Sequence, residues 1–73
     1  MTLDVAYAAL LAAMHPDYRL HIMWEHSGGW SCTVVDYRPE SVIRGRMLVT
    51  GTGGTLRDAL EATTRRLKAK VVQ

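Results

Sequence analysis

Gly51-Thr52-Gly53-Gly54-Thr55-Leu56-Arg57-Asp58-Ala59-Leu60-Glu61-Ala62-Thr63-Thr64-Arg65-Arg66-Leu67-Lys68-Ala69-Lys70 is the stretch that decides the fold. Three glycines leave a strand, and the strongest helix signal in the chain follows. Thr55 is a good N-cap, because its hydroxyl can accept an orphan backbone N–H of the first turn. Leu56, Ala59, Leu60, Thr63, Leu67 and Val71 recur at helical spacing and form one apolar stripe. Arg57, Glu61, Arg65 and Lys68 fall on the opposite side, and Glu61 precedes Arg65 by one helical turn, the favourable orientation for a solvated pair. One amphipathic helix cannot hide its own stripe, so the rest of the chain must supply a surface to cover it.

Size limits that surface. The 73 residues allow one domain, 1–73, with one small core, and 48% hydrophobic against 22% charged residues reads as globular rather than disordered. Cys32 is the single cysteine, so no internal disulfide can staple the domain, and a partner or a second copy would help it. A cytoplasmic location is the default expectation. No apolar run reaches the length of a membrane span, and no basic region precedes the first apolar residues as a signal peptide requires. The net charge of +2 hides an asymmetry: from Arg57 onward five basic residues stand against two acidic, before it four against five. The positive character belongs to the last helix, where it suits the helix dipole or could steer an anionic partner.

Working outward, Thr2 to Met14 reads as a helix, capped by Thr2 and stopped by Pro16, with Leu3, Tyr7, Leu10 and Met14 as its expected inner stripe. Its other side is small and apolar (Val5, Ala8, Ala9, Ala12), and Val5, Ala8 and Ala12 make the first candidate for self-association as a homodimer. Tyr18 to His26 alternates, with Tyr18, Leu20, Ile22 and Trp24 on one face and Arg19, His21, Met23 and Glu25 on the other. Ser27-Gly28-Gly29 turns the chain, and Trp30 to Asp36 returns with Trp30, Cys32 and Val34 on one face. The two tryptophans are expected to meet across the hairpin. Tyr37 to Ser41 is a loop containing Pro39, and Val42 to Thr50 reads as a third strand with Gly45 marking a bulge or turn. The expected fold is therefore α+β: α-β-β-β-α, a three-stranded antiparallel meander with both helices packed on one face.

Chemistry-bearing constellations are weak. His15, His21, His26 and Cys32 fit no metal-ligand spacing. No nucleophile, base and orienter form a signature, and the seven acids are scattered. Gly51, Gly53 and Gly54 precede a helix N-terminus, but their spacing matches neither a dinucleotide fingerprint nor a P-loop. The reading is non-enzymatic, without cofactor or metal.

Gly54-Thr55-Leu56-Arg57-Asp58-Ala59-Leu60-Glu61, with the strands before it, resembles the strand–strand–strand–helix lobe of HicB-type antitoxins over residues 18 to 70. That resemblance implies binding and blocking of a partner protein. The full element order also resembles a double-stranded-RNA-binding domain, whose phosphate contacts come from the glycine turn and the first turn of the last helix. The aligned positions here are Leu56, Arg57 and Leu60, of which one is basic. In size and style the chain is similar to accessory proteins of bacteriophages, including anti-CRISPR inhibitors.

These readings converge on an interaction module, phage- or plasmid-encoded, that binds and inhibits a bacterial protein or nucleoprotein complex of the defence (CRISPR) type. Two surfaces are the candidates: Arg19, His21, Arg38, Arg44 and Arg46 on the sheet and loop, and Arg57, Arg65, Arg66 and Lys68 on the last helix. The alternative is a small nucleic-acid-binding domain that uses the basic C-terminal helix. No membrane partner is expected.

Overall fold

The computed structural model describes residues 1–72; the side chains of Val71 and Val72 lie outside the described part, and with them the last position of the expected stripe. The elements run α1 (Leu3–Ala13), β1 (Tyr18–Trp24), β2 (Trp30–Asp36), β3 (Arg46–Gly53) and α2 (Leu56–Val72). The sheet is an antiparallel meander of order β1-β2-β3. Its succession and class are those expected.

Capping chemistry sets both helix starts. Thr2 Oγ1 accepts the Val5 N–H at 3.2 Å, and Thr55 Oγ1 accepts the Asp58 N–H at 3.1 Å. The α2 stripe then packs on the sheet: Ala59, Leu60, Thr63 and Leu67 are buried, and Leu56 half-buried. α2 lies against β2 and β3, while α1 runs alongside α2 on the same side of the sheet. One cluster joins Ala6 and Leu10 of α1, Cys32 and Val34 of β2, and Ala59, Leu60 and Leu67 of α2. Each fully buried aliphatic side chain there contributes roughly 1.5–3 kcal/mol. The exposed Arg57–Asp58 ion pair at 3.7 Å contributes at most about 1 kcal/mol. The cluster, not surface charge, holds the fold.

Two glycines decide how close α2 comes. A Cβ on Gly51 would fall on the Thr63 backbone and hydroxyl, and one on Gly53 would sit 2.6 Å from the Asp58 Cβ and 2.7 Å from the Ala59 nitrogen. Both lie inside β3, so the strand continues through the segment read as its glycine exit. Thr63 fills the contact: its hydroxyl donates to the Ala59 carbonyl at 2.7 Å and lies 3.4 Å from the Cys32 carbonyl.

Three boundaries differ from the sequence reading. The third strand begins at Arg46 rather than Val42. The cause is a turn built on Asp36. Its carboxylate accepts the Arg38 N–H at 2.9 Å, the Arg38 guanidinium through two nitrogens at 2.9 and 3.0 Å, and the Ser41 hydroxyl. Gly45, at φ +81°, swings the chain back and donates to the Asp36 carbonyl, reopening the ladder. Of the two readings of Gly45, the turn holds, and the irregularity in the pairing lies at Val34/Val35. The first strand stops at Trp24 because Glu25 closes the hairpin loop, donating to the Gly29 carbonyl at 2.8 Å, with Gly28 at φ +91°. Trp24 and Trp30 are cross-strand partners, as expected.

The inner stripe of α1 is rotated. Leu10 is buried and Met14 half-buried, but Leu3 and Tyr7 are exposed and Ala6 is buried in their place. α1 packs along α2, with Leu10 reaching the cluster over the sheet, and close helix approach favours the alanine row Ala6, Ala9, Ala13 at that contact.

Candidate interaction surfaces

Alternation along the strands sorts the uncovered side of the sheet. It carries Arg19, His21 and Met23 from β1, Ser31, Thr33 and Val35 from β2, and Met47, Thr50 and Thr52 from β3. Thr33 and Thr50 hydroxyls meet at 3.1 Å across the strands. Met23 and Met47 stand well into solvent, at 61% and 70% exposure. The Arg19 guanidinium lies over the Tyr37 ring, 5.4 Å from its centroid.

At one end of this side, Arg19 and Arg44 line a cleft of about 370 Å³ with Asp17, Tyr37 and Pro39. The β2–β3 loop beside it carries Val42, fully exposed, and Ile43. Arg38 is committed to the Asp36 turn and lies over the Tyr18 ring. Its guanidinium holds the Asp36 carboxyl well below the usual carboxylate range; burial opposes this, and the Ser41 hydroxyl and the Arg38 N–H reinforce it. Arg46 pairs in register with Asp36, at the end of the strand. The first candidate set therefore divides: Arg19 and Arg44 share the cleft, His21 lies with Arg19 on the open face of β1, Arg38 is a buttress, and Arg46 stands at the sheet's end.

The second set divides more sharply. Arg65 and Lys68 line a groove of about 350 Å³ between the helices, with Met1, Ala6, Ala9, Glu61 and Thr64. No ion pair joins Glu61 to Arg65 among the described residues. Arg66 turns the other way, donating to the Thr50 carbonyl on the free edge of β3, and Lys70 reaches the Leu48 carbonyl of the same edge at 3.4 Å. Arg57 sits at the helix start, where its guanidinium donates to the Met1 carbonyl at 3.3 Å. These side chains form no single basic stripe.

Val5, Ala8 and Ala12 are exposed on the solvent side of α1. Cys32 is buried, and burial pushes its thiol up while the Thr63 hydrogen bond pulls the other way. His15 is part of the α1–β1 turn: its Nδ1 accepts the Asp17 N–H, its carbonyl accepts the Tyr18 N–H, and its ring lies 5.5 Å from the Tyr18 ring. Among the described residues no group of three or more His, Cys, Asp or Glu side chains could hold a metal ion. Among the same residues no helix is long and apolar enough to cross a membrane.

No protein-family model, curated protein or solved structure matches the chain. Sequence reasoning placed Arg19, His21 and Met23 on the open face but missed Met47, Val42 and Ile43. The last two were assigned to a strand, where one of each adjacent pair should face inward. The Asp36-centred turn puts both outside.

Proposed function

We propose that the protein is a non-enzymatic interaction module whose open sheet side and β2–β3 loop bind another macromolecule. The observation that carries this is that the open sheet side exposes Met23 and Met47 on the face of Arg19, and the β2–β3 loop that supplies Arg44 exposes Val42 and Ile43. Methionine and arginine are enriched in protein interfaces, whereas phosphate-binding surfaces are built from clustered lysines and arginines. The favoured partner is a bacterial protein or nucleoprotein complex of the defence type, bound and inhibited by a phage- or plasmid-encoded protein. The HicB-like and anti-CRISPR-like resemblances support that choice. Direct nucleic-acid binding by the basic helix is the second reading, and the charge excess after Arg57 is what favours it.

The test is retention from a nuclease-treated bacterial lysate on the immobilised chain, comparing wild type with the double variant Ile43→Asp/Met47→Asp. A protein complex held by the wild type and lost by the double variant is expected. Equal retention by both, or none by either, contradicts the reading. Labelled duplex RNA and DNA titrated at low salt address the second reading: phosphate binding there, weakening steeply as salt rises, would replace the first.

A further inference from the structure

The two edges of the sheet are treated differently. In an antiparallel ladder alternate residues turn their backbone groups toward the neighbour and away from it. The Glu25 N–H bonds the Gly29 carbonyl and the Tyr37 N–H bonds the Asp17 carbonyl, so the odd-numbered residues of β1 face β2. Tyr18, Leu20, Ile22 and Trp24 therefore turn their backbone outward. The same alternation turns Thr50 of β3 outward, and its carbonyl and that of Leu48 are the ones covered by Arg66 and Lys70. Edge strands left open are templates for pairing. β3 has side chains across its edge. On β1 the Tyr18 N–H is taken by the His15 carbonyl, and among the described residues no side chain bonds the other outward groups. β1 has no proline, no bulge and seven continuous residues.

The side chains beside that edge are apolar. Ile22 and Trp24 lie on the helix side of β1 yet are about half exposed, because α2 covers β2 and β3. On α1, Ala6 and Ala9 face α2 and Leu10 faces the core, which turns Tyr7 and Leu11 to the flank away from α2, while Leu3 borders a hollow with Thr55, Leu56 and Arg57 at the start of α2. Tyr7 and Leu11 are also about half exposed.

The geometry points to a two-fold homodimer formed by antiparallel pairing of β1 with β1 of a second copy, centred on His21. β1 is self-complementary under that operation. Leu20 meets Ile22 of the other copy and Tyr18 meets Trp24 on the helix side, and Arg19 meets Met23 on the open side. Centring on His21 aligns all four outward-facing residues of each strand; centring on Leu20 or Ile22 leaves one unmatched. The two α1 flanks then face each other across the seam. The four half-exposed side chains Tyr7, Leu11, Ile22 and Trp24 supply on the order of 400 Å² per copy before the strand backbone is counted, against roughly 800 Å² in a standard interface. The result is a six-stranded sheet with four helices on one side, and the open sides of the two copies form one continuous surface. This inference goes beyond the partner reading and does not depend on it.

Light scattering and sedimentation velocity on the whole chain at micromolar concentration test the dimer, and a cysteine scan of β1 tests its register. The expected mass is about twice 8.1 kDa. Ile22→Pro removes an outward N–H and no β1–β2 bond, so it should give a folded monomer by circular dichroism. Leu11→Asp, on the exposed α1 flank, should do the same without touching the strand. His21→Cys should form an intermolecular disulfide on mild oxidation, because directly opposed residues outside the hydrogen-bonded pairs approach to about 4.5 Å. Arg19→Cys should not. A wild-type monomer at high micromolar concentration overturns the proposal. So does a dimer that survives both Ile22→Pro and Leu11→Asp, or one abolished by Ala12→Asp and not by them. A third protein's strand or a nucleic acid on this edge would appear as a wild-type monomer.

Discussion

Gly51 carries more of the fold than its size suggests. Its missing Cβ lets α2 settle onto β3, and Thr63 occupies the space so gained. Gly51→Ala should destabilise the domain by about 1–3 kcal/mol or more through overpacking. Gly54, with nothing near its Cβ position, should tolerate alanine with a change within about 1 kcal/mol. Urea denaturation of the two variants makes the comparison, and equal losses would refute the close-approach account. Asp36 is the other decisive residue. Its folded pKa is depressed, so its contribution is fully present above the unfolded carboxylate value of about 4 and is lost as pH falls below it. Thermal melts should show a stability loss below about pH 4 that is smaller in Asp36→Asn, which should itself melt lower at neutral pH. An identical acid profile in the variant would remove Asp36 as its source.

At the scale of elements, the helix-and-hairpin order was readable because each piece carries a local signal. Thr55 caps, the 3.6-residue stripe follows, and Tyr18–Trp24 alternates. What escaped reading was tertiary. The inner stripe of α1 rotates toward Ala6 because a second helix lies beside it, and no pattern within α1 states where that neighbour is. Val42 and Ile43 look like strand residues, and only the bonds of Arg38 and Ser41 to Asp36 pull them into a loop. The last helix's basic residues read as one face, yet Arg66 and Lys70 serve the edge of β3 while Arg65 and Lys68 line the groove with α1. Thr55→Ala should cost about 1 kcal/mol of stability by denaturant melts. Arg66→Ala with Lys70→Ala should change stability little but raise turbidity on storage, because β3 loses its cover. A double variant as soluble as wild type would argue against the edge-capping role.

The whole molecule has a packed side and an open side. Leu10, Leu60 and Leu67 close the packed side, and replacing Leu67 with alanine should cost about 2–5 kcal/mol, a large share of the roughly 5 kcal/mol such a small domain can have. The exterior holds what the core does not use: the Met and Arg surface of the open side, and the uncovered strand β1. Arg19, His21 and Met23 of that surface were legible in the sequence, and Met47 and the open edge were not, because edge identity depends on which strand the helices and their basic side chains reach. The central claim is that β1 is a docking strand while β3 is closed. Residue-resolved amide exchange at low and high protein concentration tests it most directly. The account predicts that the outward amides of Leu20, Ile22 and Trp24 exchange freely when dilute and become protected when concentrated. Free exchange at every concentration would contradict it.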